Sequence, residues 1–178
     1  MFVACSTRCF TKEPLESALR RIAELEFDKI DLAIEEHGTH LKPSEVADDL
    51  DAVLARIRRG PSLAFSALDL DFGPHNLDPK LLRKRFEAIC RLAKSLMVAV
   101  MTIPAAPMGS PLEDEIQRLS TLSEIASLQG LVLALSTHSK SLTNHPSTAA
   151  ALCRAVPRLG LTLDPSHYIN GPFQGDGW

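Results

Sequence analysis

Two hydrophobic periods alternate along the chain. Short apolar runs, rich in branched side chains, occur at Phe2–Cys5, Ile30–Ile34, Leu63–Leu70, Val98–Ile103, Leu131–Leu135 and Leu159–Leu163. Between them the apolar residues fall at helical spacing. Leu82, Phe86, Ile89, Ala93 and Leu96 line one helix face, as residues three or four apart must. Val46, Leu50, Val53, Leu54 and Ile57 do the same, and so do Leu15, Leu19 and Ile22. Ile116, Leu119, Leu122 and Ile125 form a further stripe, and Ala149, Leu152, Cys153 and Val156 the last. The predicted order is strand then helix, five times, closed by a sixth strand. The strand runs are nearly continuous rather than alternating, which is the pattern of strands covered by helices in a parallel sheet.

Local punctuation supports these boundaries. Asp78-Pro79 sets a capping side chain before a proline at the first helical position. Ser110-Pro111-Leu112-Glu113 matches a capping box. Gly60, Gly130 and Pro157 stand where helices should stop. With 178 residues and no linker of low complexity, the expectation is one domain over residues 1–178, with 171–178 a loop or frayed tail. A glycine-rich phosphate loop would mark an open, doubly wound sheet. The turn after the first strand, Ser6-Thr7-Arg8-Cys9-Phe10, is not one. Two α/β architectures compete, an open doubly wound sheet and part of an eight-stranded barrel; the second, to which the resemblance described below points, would be a TIM-barrel-like (β/α) arrangement of about six strands and five helices.

Composition narrows the partners. Hydrophobic residues make up 45% and charged residues 23%, the balance of a globular protein with a core. The formal charge of −3 supplies no general attraction to nucleic acid or anionic membrane, so neither is expected as a partner. No apolar run approaches the roughly 18 residues of a membrane span. The first residues carry no basic segment and read as a strand rather than a signal peptide. Four cysteines without paired metal-site spacing fit a reduced, cytoplasmic protein. The pair Cys5 and Cys9 reads as small-residue packing in preference to a redox pair. The basic clusters Arg56-Ile57-Arg58-Arg59 and Arg83-Lys84-Arg85 have acidic neighbours and read as solvated helix surface.

Ligands of parallel α/β folds bind beyond the C-terminal ends of the strands. The residues there are Ser6, Thr7 and Arg8; Glu35, Glu36, His37 and His40; Asp69, Asp71 and His75; Thr102; Ser136, Thr137 and His138; and Asp164, Ser166, His167 and Tyr168. Five of the six histidines are among them. Imidazole is both a metal ligand and a near-neutral acid or base, so this concentration points to a site. The sharpest feature is Leu161-Thr162-Leu163-Asp164-Pro165-Ser166-His167. An apolar strand delivers a carboxylate to its tip, and an imidazole follows in the turn. A hard divalent cation favours the carboxylate oxygen, and the imidazole can bind a substrate oxygen.

Three stretches carry a resemblance. Residues 86–96 resemble the helix before the fourth strand of the xylose isomerase-like TIM-barrel superfamily. Leu131–His138 resembles its fifth strand, and Leu159–His167 its sixth, with the Leu-Asp-x-x-His signature. That superfamily includes sugar phosphate isomerases and epimerases and AP endonucleases of family 2. The resemblance implies a small sugar or sugar phosphate as substrate. It also implies a divalent metal (Mn²⁺, Mg²⁺, Co²⁺ or Zn²⁺) held by a Glu, an Asp, a His and a Glu on the last four strands. By match Asp164 takes the metal Asp position and His167 the substrate-binding His position. His138 and Glu35 complete the candidate substrate-binding residues, and no catalytic residue is assigned.

The pattern departs from the family at Ser136, where the fifth strand should end in Glu. A hydroxyl is a poor substitute for a carboxylate ligand and cannot shuttle a proton at neutral pH. The family's seventh and eighth strands, with their His and Glu, are also missing from the expected pattern. The expectation is a barrel incomplete at its C-terminus, with open sheet edges covered by a homo-oligomer. Two functions follow as expectations. One is a metal-dependent isomerase or epimerase. The other is a non-catalytic member that binds a small polyol or a protein. An endonuclease-like phosphodiesterase ranks below both, because a basic nucleic-acid surface is lacking.

Overall fold

The computed structural model describes residues 2–169, so the expected tail at 171–178 lies outside the described residues. The described chain falls into two compact units divided between Met101 and Thr102. In the first, the elements are β1 (Cys5–Ser6), a 3₁₀ turn (Thr7–Phe10), α1 (Leu15–Glu24), β2 (Lys29–Glu35), α2 (Pro43–Asp48), α3 (Leu50–Arg58), β3 (Ala64–Asp71) and α4 (Pro79–Ser95). The chain crosses to the second unit within β4 (Val100–Pro104). There follow α5 (Leu112–Leu128), β5 (Val132–Ser136), a 3₁₀ turn (Leu142–Asn144), α6 (Pro146–Ala155), β6 (Gly160–Thr162) and a single helical turn, α7 (Ser166–Ile169).

Pairing within each unit is parallel. Cys5 pairs with Ile30, and β2 runs beside β3 from Lys29–Ala64 to Glu35–Asp71. The register slips by one residue at Ile30/Asp31. There the hydroxyl of Ser66, the residue skipped, donates to the Ile30 carbonyl at 3.0 Å and to Asp31 Oδ1. In the second unit Ala134, Leu135 and Ser136 pair with Gly160, Leu161 and Thr162. Parallel pairing brings the C-terminal ends of neighbouring strands to the same side, which is what gathers polar residues from distant parts of the sequence.

The cores follow the apolar stripes. In the first unit Leu15, Leu19 and Ile22 of α1, Ile30, Leu32 and Ile34 of β2, Leu68 and Leu70 of β3, and Phe86, Ile89 and Leu92 of α4 are all buried. The contiguous buried run Leu32-Ala33-Ile34 is the signature of a strand covered on both faces. In the second unit Leu133, Ala134 and Leu135 do the same, with Leu119, Leu122 and Leu152 from the helices. Among the described residues, no helix is long and apolar enough to cross a membrane.

Three boundaries differ from the sequence reading, each for a local reason. The stripe from Val46 to Ile57 forms two helices, because Asp49 leaves helical geometry and caps the second by accepting the Ala52 amide at 2.9 Å. The first strand shrinks to Cys5–Ser6, and Phe2 and Val3 are exposed. The capping box at Ser110 is not made, since Pro111 begins α5 without a side-chain cap. Three acidic residues in the first turn of α5 interact favourably with the helix dipole there.

One of those acids, Glu115, is fully buried. Its Oε1 accepts the Ala106 amide at 2.9 Å and Arg118 Nη2 at 2.7 Å, and its Oε2 lies 2.7 Å from Arg118 Nε. Arg118 also reaches the Pro104 carbonyl at 3.2 Å. The pair therefore ties the end of β4 to the first turns of α5. Removing one partner leaves a buried charge uncompensated. Glu115→Ala is expected to cost about 3–5 kcal/mol, read from urea unfolding, with a smaller loss for Glu115→Gln. Equal stability of wild type and Glu115→Ala would contradict this assignment.

Candidate functional site

In the second unit, β5 and β6 end side by side and place Asp164, His138 and His167 in one neighbourhood. The anchor is Thr137, which follows β5 and is buried. Its hydroxyl accepts the Asp164 amide at 2.7 Å and donates to the Asp164 carbonyl at 3.3 Å. The Thr137 amide donates to the Thr162 carbonyl at 3.2 Å. Both backbone groups of Asp164 are thereby held by one side chain on the neighbouring strand.

The carboxylate of Asp164 is shaped by the turn that follows it. Oδ1 accepts the Ser166 amide at 2.9 Å and the Ser166 hydroxyl at 2.7 Å, as Asp does when it opens a turn. Oδ2 is the oxygen left, and it lies 3.7 Å from His167 Nε2. The side chain remains 55% exposed, so it is open to a ligand. The hydrogen bonds from the Ser166 hydroxyl, then from its amide, hold the Asp164 carboxyl below its ordinary range, helped by His167.

His138 is fixed from its backbone outward. Its amide donates to Thr143 Oγ1 at 3.0 Å, and that hydroxyl donates to the Ser136 carbonyl at 3.0 Å. The Lys140 amide donates to His138 Nδ1 at 3.1 Å. A ring nitrogen that accepts carries no proton, so neutral His138 bears its proton on Nε2. The rings of His138 and His167 lie 4.6 Å apart, tilted by 43°. Ser136 itself is half-buried at the end of β5, paired with Thr162.

Glu35 belongs to the first unit, at the end of β2. Its carboxylate pairs with Arg8 Nη1 at 3.0 Å, and Arg8 Nε lies 2.6 Å from Asp69 Oδ2 at the end of β3. Arg8 thus joins the ends of three consecutive strands. The nearby His40 is structural. It is buried, and its Nε2 lies 3.1 Å from the carbonyls of both Phe10 and Glu13, where it donates. His145 caps α6, with Nδ1 accepting the Ser147 amide at 3.2 Å.

Thr137, Thr143 and Ser166 hold the candidate ligands. Thr137 and Ser166 stand among the strand-end residues of the sequence reading, but without this holding role, and Thr143 was missed altogether. Only Ser166 carried a visible signal, the Asp-x-Ser spacing of a side-chain-capped turn.

Comparison with known proteins then decides the lineage. The profile described as xylose isomerase-like TIM barrel matches residues 19–176. The chain belongs to the xylose isomerase-like TIM-barrel family. No curated protein matches it by sequence. Among solved structures it is similar to a xylose isomerase-like TIM barrel protein from Mycobacterium smegmatis in complex with magnesium. The TM-score is 0.74 at 17% identity, over 96% of this chain and 66% of that one. It is similar to the apo form of the 3-keto-D-glucoside 4-epimerase YcjR from E. coli, with TM-score 0.66 and 16% identity, over 99% and 72%. It is also similar to the IOLI protein with a bound zinc atom, with TM-score 0.67 and 19% identity, over 94% and 64%. The chain therefore spans about two thirds of the length of these family structures. At such identities the likeness is one of fold: α/β, six parallel strands with helices, matching part of a TIM barrel. The family includes sugar isomerases and epimerases.

Magnesium is bound in the Mycobacterium smegmatis neighbour and zinc in the IOLI protein. Among the described residues of this chain, no group of three His, Cys, Asp or Glu side chains is arranged to hold a metal ion. At Asp164 one oxygen is already engaged by Ser166, and the fifth strand offers the hydroxyl of Ser136 in place of a carboxylate. The described residues do not by themselves fit a metal.

The Asp164 turn has a pH signature. Its carboxyl is expected to titrate below the ordinary Asp value in carbon-detected NMR, and Ser166→Ala to move the midpoint upward. Because the folded-state value is lowered, the associated stability is present above the unfolded-state pKa. It is lost as pH falls through the lowered folded-state pKa. An unchanged midpoint in Ser166→Ala would remove Ser166 from this role.

Proposed function

We propose that the protein binds a small sugar or sugar phosphate at the strand ends of its second unit and acts as an isomerase or epimerase. The observation that supports this most is the convergence of Asp164, His138 and His167 beyond β5 and β6, held there by Thr137 and Thr143. A polyol needs closely spaced acceptors and donors. Asp164 Oδ2 accepts a substrate hydroxyl, and His138 Nε2–H donates to a hydroxyl or carbonyl oxygen. His167, beside both, orients the same substrate. Phosphate, where the substrate carries one, would add charge-assisted bonds to protonated imidazole. Asp164 is also the carboxylate this reading assigns to a divalent cation. Since the described residues do not complete such a site, no step is assigned to the ion.

A second reading is favoured by Ser136. Isomerisation and epimerisation require proton removal next to a carbonyl, and a carboxylate or imidazole is the usual base. A serine hydroxyl at the end of β5 cannot serve at neutral pH. The alternative is a polyol-binding member without catalysis.

The two readings separate in deuterium oxide. The protein is incubated with a panel of ketoses and their phosphates, with Mn²⁺ supplied, and deuterium is sought at the carbon beside the carbonyl. Incorporation is expected, and Asp164→Asn should abolish it while the protein stays folded. Sugar binding without incorporation would overturn the isomerase reading in favour of the binding one. Neither binding nor incorporation would overturn both.

A further inference from the structure

The loop between β4 and α5 has no part in the proposed function, yet it grips the loop that carries His138. Pro107 and Ser141 form an isolated antiparallel bridge. On one side of the bridge the Leu142 amide donates to the Ala106 carbonyl at 2.8 Å. On the other the Met108 amide donates to the Lys140 carbonyl at 3.0 Å. The gripping loop is itself fixed from behind, because the Ala106 amide donates to the buried Glu115 carboxylate at 2.9 Å.

The grip converges on Lys140. Its carbonyl accepts from Met108, and its own amide donates to His138 Nδ1 at 3.1 Å. His138 is exposed, so close packing does not fix its ring. His145 shows what such a bond needs. Its Nδ1 also accepts the amide two residues on, that of Ser147, at 3.2 Å. Ser147 lies in the first turn of α6, where helical geometry sets the direction of the amide. Lys140 lies in no helix or strand. The amide and hydroxyl of Ser141 close the turn from within by donating to the His138 carbonyl. The Met108 amide closes it from outside.

We propose that Met108 is a positioning residue for His138, acting through the backbone of Lys140. By holding the Lys140 carbonyl, the Met108 amide keeps the Lys140 amide on Nδ1. The ring then stays in one orientation, and the neutral imidazole keeps its proton on Nε2. A donor fixed before the ligand arrives loses less freedom on binding. This role rests on the proposed function, in which Nε2–H donates to a sugar oxygen.

Met108→Pro tests the contact. The Ser110 amide closes a turn on the Pro107 carbonyl at 3.1 Å, and Gly109 has φ +89°. These are features of a type II turn, in which proline is common at the second position. Met108 is also exposed and fills no core. The substitution therefore suits the turn, deletes the donor and sets a ring carbon against the Lys140 carbonyl.

The isotope-labelled full chain is studied by NMR without sugar, at a pH where histidine is neutral. Wild type should show His138 with Nδ1 bare and Nε2 protonated, and a protected Lys140 amide. In Met108→Pro both ring nitrogens should move toward the values of a free imidazole. The Lys140 amide should exchange up to about tenfold faster, the worth of one hydrogen bond. His145 should not change. Met108→Ala keeps the amide and loses only the thioether that accepts from Asn144 Nδ2, so it should match wild type. A His138 ring unchanged in Met108→Pro would overturn the proposal, as would an equal change at His145 or in Met108→Ala. A wild-type His138 protonated on Nδ1 would overturn it whether or not the variant folds. A sugar bound by wild type should bind several-fold more weakly to Met108→Pro, and undiminished binding would overturn the part given to His138. Absence of sugar binding in wild type would instead sink the proposed function, with the ring still held by Met108.

Discussion

One hydroxyl organises the candidate site. Strand β6 has only three residues, two of its residues are exposed, and it leads straight into the turn that carries Asp164. A strand this short cannot direct its own C-terminal end by ladder bonds alone. Thr137 solves the problem by presenting a single buried oxygen to both the amide and the carbonyl of Asp164. Thr137 is itself buried and tied to β6 through its own amide, so the position of the Asp164 backbone follows from that of Thr137. Thr143 plays the equivalent part for His138, linking its amide to the Ser136 carbonyl. Two hydroxyls therefore turn a loop region into a defined set of donors and acceptors.

The two units treat their carboxylates differently. In the first, Glu35 and Asp69 are both engaged by the guanidinium of Arg8, and His40 is consumed in holding backbone carbonyls. That arrangement stabilises a turn and spends its charges internally. In the second, Asp164 keeps one oxygen and more than half of its side-chain surface available, with imidazoles alongside. Exposed, ionised and oriented groups are what a hydroxyl-rich ligand requires. The same strand-end rule thus yields a cluster paired internally in one unit and, in the other, the exposed cluster on which the proposed function rests.

Much of this was legible in the sequence. The alternation of branched runs with helical stripes located all six strands and the main helices, because burial on both faces leaves a nearly continuous apolar signature. Asp164 and His167 were legible from the motif at the end of the last strand. What was not legible depended on contacts between distant residues. The bonds from Thr137 to Asp164 join segments 27 residues apart whose register only the folded sheet defines, and the bond from Thr143 to Ser136 depends on how the intervening loop folds back. Asp49 divided a continuous apolar stripe, since a side-chain cap can end one helix and begin another without disturbing the hydrophobic period. Glu115 was not singled out in the sequence: it is one of three acids in the first turn of α5, and only packing made it the buried one. Exposure of Cys9 was equally invisible, because cysteine is commonly a buried residue type.

The central claim is that Thr137 builds the site by fixing Asp164. Thr137→Val tests it most directly, since valine preserves shape and removes the hydroxyl. Amide hydrogen exchange, read residue by residue, should show the Asp164 amide exchanging faster in the variant while the amides of β5 keep their protection. A stability loss of about 0.5–1.5 kcal/mol should accompany it, the net contribution of an ordinary hydrogen bond to a partly exposed group. An Asp164 amide as protected in Thr137→Val as in wild type would contradict the account.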